Sequence, residues 1–263
     1  MTQRYHVPAP QEITGPALAG KTDTMVLNMG PHHPSTHGVL RLVLELDGEV
    51  VLNVAPDIGF LHTGIEKTIE SKNYQQVVVL TDRMDYLAPL SNNLCYVLAV
   101  EKLMQVEVPE RAQVARVLLT ELQRVSSHLV WLGTHALDLA AMSVFLYAFR
   151  EREQILDLFE LVAGARMMTS YFRVGGLAYA LPAEFLPTAA SCIESLAPQI
   201  DEYEDLLTKN PLWLERTVGV GVMEAEAAIA YGLSGANLRA SGVNYDVRKT
   251  TPYSGYETYD FAV

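Results

Sequence analysis

The chain has 263 residues, 49% hydrophobic and 19% charged, with 31 acidic against 19 basic side chains and a formal net charge of −12. Length and apolar content exclude a disordered or fibrous chain and supply enough sequence for one large domain or two small ones. Such acidity repels phosphate backbones and anionic lipid, which excludes nucleic-acid binding and unaided attachment to a membrane surface.

Residues 1–23 carry Pro8, Pro10, Gly15, Pro16 and Gly20 without a sustained period and read as an extended arm, with no apolar run of the secretory kind. A first strand is expected over 24–29. Leu40, Leu42, Leu44 and Leu46 then alternate with mostly polar residues, and after Asp47-Gly48 the alternation resumes at Val50, Leu52 and Val54. Asp-Gly between two alternating runs signals a hairpin whose turn needs positive φ. Residues 24–60 therefore form a small antiparallel β domain.

From there the period becomes helical. Helices are expected over 64–79, 89–105, 142–165 and 182–208, the last with a kink at Pro198. After Pro109, the positions 114, 117, 118, 121, 122, 125, 128, 129 and 132 are apolar except Glu121 and His128, which reads as a helix with one buried stripe. Residues 129–149 are apolar enough to span a bilayer, but Asp138, His135, Gly133 and Thr134 inside the run favour a break between two buried helices. Short helical pieces follow over 211–232, completing a helical bundle over 61–232. Residues 233–263 are rich in Gly and Tyr and read as loop with one or two strands. The fold class is α+β, mainly α: a small N-terminal antiparallel β domain followed by a long-helix bundle.

Chemistry concentrates in few places. Cys95 and Cys192 are the only cysteines, far apart and without a CxxC, which predicts a reducing cytosolic compartment and excludes an iron–sulfur or thiolate metal site held by this chain alone. His32, His33 and His37 share the stiff stretch 30–38 with two prolines and two glycines. Three readings stay open for it: a tight turn whose histidines cap backbone, a metal site from His33 and His37, or a proton donor facing a ligand. Arg83, Asp85 and Tyr86 precede an apolar helix and read either as its charged N-terminus or as a site. Asp138 either caps a helix or pairs with a cation deep inside. The run 150–153, Arg-Glu-Arg-Glu, reads as a solvated or interface face. Neither Gly175-Gly176 nor Gly219-Val-Gly221 forms a dinucleotide fingerprint, and no P-loop, nucleophile elbow or HExxH is present.

The segments GPHHPSTHGVLRL (30–42), GFLHTGIEK (59–67), DRMDYL (82–87), ELQRVSSHLVWLGTHALDL (121–139), FREREQILDLFE (149–160) and GVNYDVRK with PYSGYETYDF (242–261) together resemble the D-type subunit family of NADH-quinone oxidoreductases. The family provides the quinone pocket in the peripheral arm of respiratory complex I, a proton-translocating enzyme. The resemblance implies a fold like that of nickel–iron hydrogenase large subunits. Asp85 and Ala88 stand where a hydrogenase has a metal-holding cysteine pair, so the resemblance implies a metal-free cavity able to take a quinone headgroup, ubiquinone or menaquinone, as substrate. It implies that His37 and Tyr86 hydrogen-bond the quinone carbonyl oxygens, that Asp138 holds His37 and sets its tautomer, and that His33 lines the pocket. Arg83 would lie near a [4Fe-4S] cluster carried by a B-type subunit. Further implied partners are a C-type subunit and a membrane-arm H-type subunit, with NADH and FMN on other partner subunits. The implied location is the cytoplasmic face of the cell membrane, peripheral and without a transmembrane span.

Two departures stand out. Many family members carry a histidine where this chain has Met168, which implies a cluster potential less dependent on pH. Family members are also longer, so the resemblance implies a missing C-terminal part that would complete the N-terminal domain and leaves apolar surface exposed without it. Other classes remain in play: a structural or assembly subunit, or the large subunit of a related ferredoxin-dependent or hydrogenase-type membrane complex.

Overall fold

The computed structural model describes residues 24–263; the arm read over 1–23 lies outside them. The chain divides into two compact units, one ending at Ile65 and one spanning Glu66–Val263.

In the first unit, β1 (Met25–Met29), β2 (Arg41–Asp47) and β3 (Val50–Asp57) form an antiparallel sheet in that order. Asp47 lies opposite Val50, so the turn residues are Gly48 and Glu49 rather than Asp47 and Gly48. Positive φ falls on Gly48, at +60°, the first central position, where a two-residue hairpin turn favours glycine. The register slips between Glu45 and Leu46, leaving Leu52 unpaired as a bulge. The slip places Val51 and Val54 opposite Leu46 and Leu44, whereas Val50 joins Asp47. The simple alternation of Val50, Leu52 and Val54 is thereby broken.

The second unit is helical. The expected helix over 64–79 is two, α1 (Ile65–Ile69) and α2 (Tyr74–Thr81). Asn73 starts the second with a reciprocal cap: its side chain accepts from Gln76 N–H at 3.0 Å while Gln76 Oε1 accepts from Asn73 N–H at 3.2 Å. α3 (Pro89–Met104) opens on a proline whose missing N–H costs nothing in a first turn. α4 (Glu110–Asp138) has 29 residues and is about 43 Å long. It closes with Ala140 left-handed at φ +68° and Ala141 N–H donating to Ala136 O at 2.7 Å. α5 (Met142–Ala163) follows at once and ends on left-handed Gly164. The break expected within 129–149 is this corner, and among the described residues no helix is long and apolar enough to cross a membrane.

A two-rung hairpin that periodicity did not signal, β4 (Phe172–Arg173) with β5 (Gly176–Leu177), precedes α6 (Phe185–Leu207), which continues through Pro198. Then come α7 (Pro211–Thr217), α8 (Ala225–Ala230), α9 (Gly235–Ala240) and α10 (Val247–Thr250). The strands expected in 233–263 are absent among the described residues; helical turns stand there instead, each begun by a residue suited to a turn, Ser234 and Asp246.

The core joins Leu90, Leu94 and Val97 of α3, Leu119, Leu122 and Leu129 of α4, Ile155 and Phe159 of α5, and Phe172 and Phe185. α4 packs on both α3 and α5. It therefore buries a wider arc than one stripe, centred on Ala115, Leu119, Leu122, Ser126, Leu129, Gly133 and Ala136. A Cβ on Gly133 would lie 3.3 Å from both Ala148 Cβ and Phe145 Cα, so its absence sets how closely α4 and α5 cross.

Candidate functional site

The histidine stretch lies in the first unit and folds back on itself. Gly30 has φ +88°, and a Cβ there would meet Leu40 O at 2.1 Å, so only glycine fits. Pro34–Thr36 form one 3₁₀ turn between His33 and His37. Thr36 is its buried centre and donates from Oγ1 to His33 O at 2.9 Å. His33 Nδ1 accepts from Ser35 N–H at 3.1 Å, so the capping reading holds for that nitrogen. A ring nitrogen that accepts an amide proton carries none of its own, which leaves Nε2–H of the neutral ring as a donor. His37 is left-handed at φ +54°, and its N–H donates to Pro34 O at 3.1 Å. All three histidines are exposed.

The second unit holds Arg83 and Tyr86 on one loop, residues 82–88, between α2 and α3. Three neighbours pin it: Ser170, Asn92 and Gln123. Asp82, buried, accepts at Oδ2 from Ser170 N–H at 2.9 Å and Ser170 Oγ–H at 2.5 Å. Burial pushes the Asp82 carboxyl above its ordinary value, opposed by the bonds from Ser170 and Asn93. Asn92 of α3 donates to Asp85 O at 2.9 Å, and Gln123 of α4 donates to Leu87 O at 2.9 Å. Asp85 Oδ1 accepts from Leu87 N–H at 3.2 Å rather than capping α3, whose cap residue Ala88 makes no side-chain bond. Asp85 therefore gives α3 no capping hydrogen bond. The Arg83 guanidinium donates to Val79 O at 2.7 Å, and the residue is exposed. Tyr86 is 43% exposed, and its hydroxyl has no hydrogen-bond partner among the described residues.

Asp138 is the last residue of α4, about 22 Å along the axis from Gln123, and is exposed rather than deep inside. The cap residue of α5 is Ala141, which makes no side-chain bond.

The 150–153 run is only half solvated. Glu151 and Arg152 are 0% and 7% exposed, because α5 turns that face onto the core. Glu151 accepts from Arg150 and from the Tyr203 hydroxyl. Arg152 has no carboxylate in ion-pair range among the described residues; it packs on the Phe149 ring at 5.6 Å and touches Met167 Sδ at 3.9 Å. Burial lowers its proton affinity. Arg152 thus lies against the turn 167–170, in which Met168 and Ser170 are left-handed at φ +53° and +44° and from which Ser170 bonds Asp82.

The two polar exceptions of the α4 stripe belong to a network with the Tyr-rich segment. Glu121 accepts from the Tyr256 hydroxyl, from Arg124 and, at 3.1 Å, from Arg248. Burial alone would raise the Glu121 carboxyl, but these donors hold it below its ordinary value. Asp246 accepts from Arg248 and Arg239, and Arg248 above all holds it down to about 2. His128 is held below the ordinary imidazole value by burial and then by Arg124. The signal available in the sequence was the pair of interruptions at Glu121 and His128. Among the described residues no group of three His, Cys, Asp or Glu side chains could hold a metal ion.

The family of the respiratory-chain NADH dehydrogenase 49 Kd subunit matches residues 138–263. A D-type subunit of NADH-quinone oxidoreductase from Chloroflexus aurantiacus, the second of that organism's, is 79% identical over 263 residues, 100% of this chain and 64% of its own length. The corresponding second D-type subunit of a Roseiflexus species is 75% identical over 257 residues, 98% of this chain and 62% of its own length. The D-type subunit of Geotalea uraniireducens is 59% identical over 242 residues, 92% of this chain and 62% of its own length. The chain therefore spans a little under two thirds of the length of these curated relatives.

Proposed function

The chain belongs to the D-type subunit family of NADH-quinone oxidoreductases, and on that premise we propose that it supplies the quinone-headgroup site of a proton-translocating NADH:quinone oxidoreductase. Reduction of a quinone adds two electrons and two protons and places negative charge on its carbonyl oxygens as it proceeds. A neighbouring B-type subunit's [4Fe-4S] cluster supplies the electrons, drawn in turn from NADH and FMN on other subunits. What this chain contributes is donors. Tyr86 donates to one carbonyl oxygen and His37 to the other, with His33 lining the site through its Nε2–H edge. Asp138 is the carboxylate that orients the imidazole of His37, and Arg83 presents positive charge toward the cluster. A C-type and a membrane-arm H-type subunit are the other proposed partners, which sets the chain peripherally on the cytoplasmic face of the membrane.

One observation carries this reading: an exposed phenol at Tyr86, unbonded among the described residues, on a loop pinned by Ser170, Asn92 and Gln123. A donor held ready without reorganisation is what stabilises developing charge in a water-poor site, and deleting one costs about 3 kcal/mol, or about 10²-fold in rate. A phenol is a weak acid in water, yet it suits a reduced and more basic quinone. Tyr86→Phe in the assembled complex should lower quinone reduction by about that factor. Subunit content and electron flow from NADH to an artificial acceptor should be unaltered. Unchanged quinone turnover would instead favour a structural or assembly subunit.

A further inference from the structure

A cavity in the second unit has a lining that shares no residue with the Tyr86 loop. α4 and α6, both packed on α5, wall a space of about 860 Å³. α4 contributes Val125, Leu129 and Leu132 and α6 contributes Leu196, Ile200 and Leu207, each set at helical spacing. Leu207 follows Leu196 by eleven positions, so the apolar wall runs about 16 Å. The two ends differ in chemistry. Toward the close of α4, Leu207 packs with Ala136, and Trp213 of α7 meets His135 edge-on at 5.7 Å. Nearer the start of α4, His128 joins the lining with Ser234 and Asn237, at the beginning of α9. Burial and then Arg124, reinforced by Arg239 of α9 and Arg248 of α10, lower the proton affinity of His128 against the pull of Glu121. The ring is thus a neutral N–H donor near pH 7, with three guanidinia around it.

We propose that this cavity binds a single-chain amphipathic anion, a long-chain carboxylate, with its tail along α4 and α6 and its headgroup at His128 and Arg239. An apolar body of this size with a few polar groups converging at one end has the form of a small-molecule site. Charge decides the sign of the headgroup. Arg124, Arg239 and Arg248 share two carboxylates, Glu121 and Asp246, which leaves one positive charge over among the described ion pairs. In a chain of net charge −12 that is a local reversal, and the apolar walls of a cavity focus it. Glu204 is the one carboxylate in the lining; it is exposed and lies about 12 Å along α6 from Leu196, toward the other end. The inference is independent of the quinone reading, since the lining includes none of the residues assigned there and a quinone headgroup offers the guanidinia no charge to select.

Both tryptophans of the chain, Trp131 and Trp213, line the cavity, so intrinsic fluorescence reports on it directly. Hexadecanoate brominated at its terminal carbon, kept below its critical micelle concentration, should quench the 263-residue protein saturably at one equivalent, because bromine quenches on contact. Unbrominated hexadecanoate should compete. The correspondingly brominated hexadecanol, uncharged, should bind more weakly by about tenfold or more. His128 lies on the surface of α4, so His128→Glu should keep the fold, which circular dichroism checks. That change should weaken the carboxylate by about tenfold or more and leave the alcohol unaltered. Ile200→Asp, on the wall, should weaken both. Quenching that never saturates, or saturates at several equivalents, overturns the proposal. So do equal affinities for alcohol and carboxylate, a His128→Glu effect shared by both or absent from both, and quenching that appears only when dilution separates copies of the chain.

Discussion

Replacing Glu101 with glutamine separates the worth of one buried charge from that of packing. The side chains of Arg116 and Glu101 are 0% and 5% exposed, with N···O distances of 2.6 and 3.0 Å. The same guanidinium donates to Arg173 O at 2.7 Å and Gly176 O at 3.0 Å, and Gly175 N–H donates to Glu101 Oε1 at 2.8 Å. The pair is thus a clamp that fastens the β4–β5 turn onto α3 and α4. Glutamine keeps the volume and one acceptor oxygen, so the change isolates the charge. A buried guanidinium without its counter-ion costs about 3–5 kcal/mol. Out of a total of about 5–15 kcal/mol for a domain, that loss is readily measured. Removing both charges, Glu101→Leu with Arg116→Met, should recover most of it. A residue of about 1–3 kcal/mol should persist for the carbonyls and amide left unbonded. Urea unfolding followed by far-ultraviolet circular dichroism measures both, provided the slope with denaturant stays constant. A cost below about 1 kcal/mol for Glu101→Gln, or a double variant as unstable as the sum of the single ones, would refute the reasoning.

Other expectations follow from the same geometry. Asp82 is raised by burial, so the wild type should lose stability relative to Asp82→Asn as pH climbs above the ordinary carboxylate range; melting temperatures between pH 4 and 8 check this, and a variant that fares worse at pH 8 than at pH 4 contradicts it. Asp246 has the opposite sign: held down to about 2, it contributes about 2 kcal/mol that Asp246→Asn should lose at pH 7, with the difference shrinking as pH falls from about 4 toward 2. Met168 occupies a left-handed position, φ +53°, that histidine tolerates better than methionine. If the proposed [4Fe-4S] cluster of a partner subunit lies beside this turn, Met168→His should give it a midpoint potential falling by up to about 59 mV per pH unit near neutrality, against a flatter profile in the wild type. Redox titration read by electron paramagnetic resonance decides it.

The long helices were legible because their apolar spacing persists over many turns, and their boundaries moved by only a few residues from the expected ones. Where the sequence misled, a local interaction overrode the period. Asn73 and Gln76 cap each other and split a helix that hydropathy alone reads as continuous. A one-residue bulge at Leu52 exchanged the faces of β3. Glu151 and Arg152 looked solvated because charge is a good guide to exposure until a hydroxyl such as that of Tyr203 satisfies it inside. The candidate site could be named from the sequence only as proposed residues, His33, His37, Arg83, Tyr86 and Asp138. Its supports could not. Nothing in composition announces that Gln123 reaches the carbonyl of Leu87, or that Ser170, 88 positions from Asp82, donates to it twice.

One of those supports, Gln123, lies on α4, where polar residues that interrupt the apolar pattern serve similar ends. In chain order Arg116 holds the β4–β5 turn, Glu121 holds Tyr256 and Arg248, Gln123 holds the Tyr86 loop, and Gly133 sets the crossing with α5. A helix buried on several sides has every reason to be uniformly apolar, since each buried polar group costs about 1–3 kcal/mol unless bonded. Arg116, Glu121 and Gln123 are bonded, and each reaches a short element or loop outside the long helices: the β4–β5 hairpin, α10 with the Tyr256 turn, and the 82–88 loop. Tyr86 thus lies on a loop whose backbone is bonded from α3 and α4 on either side of it. A substitution at Gln123 that keeps the core intact should loosen the phenol without altering the helix beneath it.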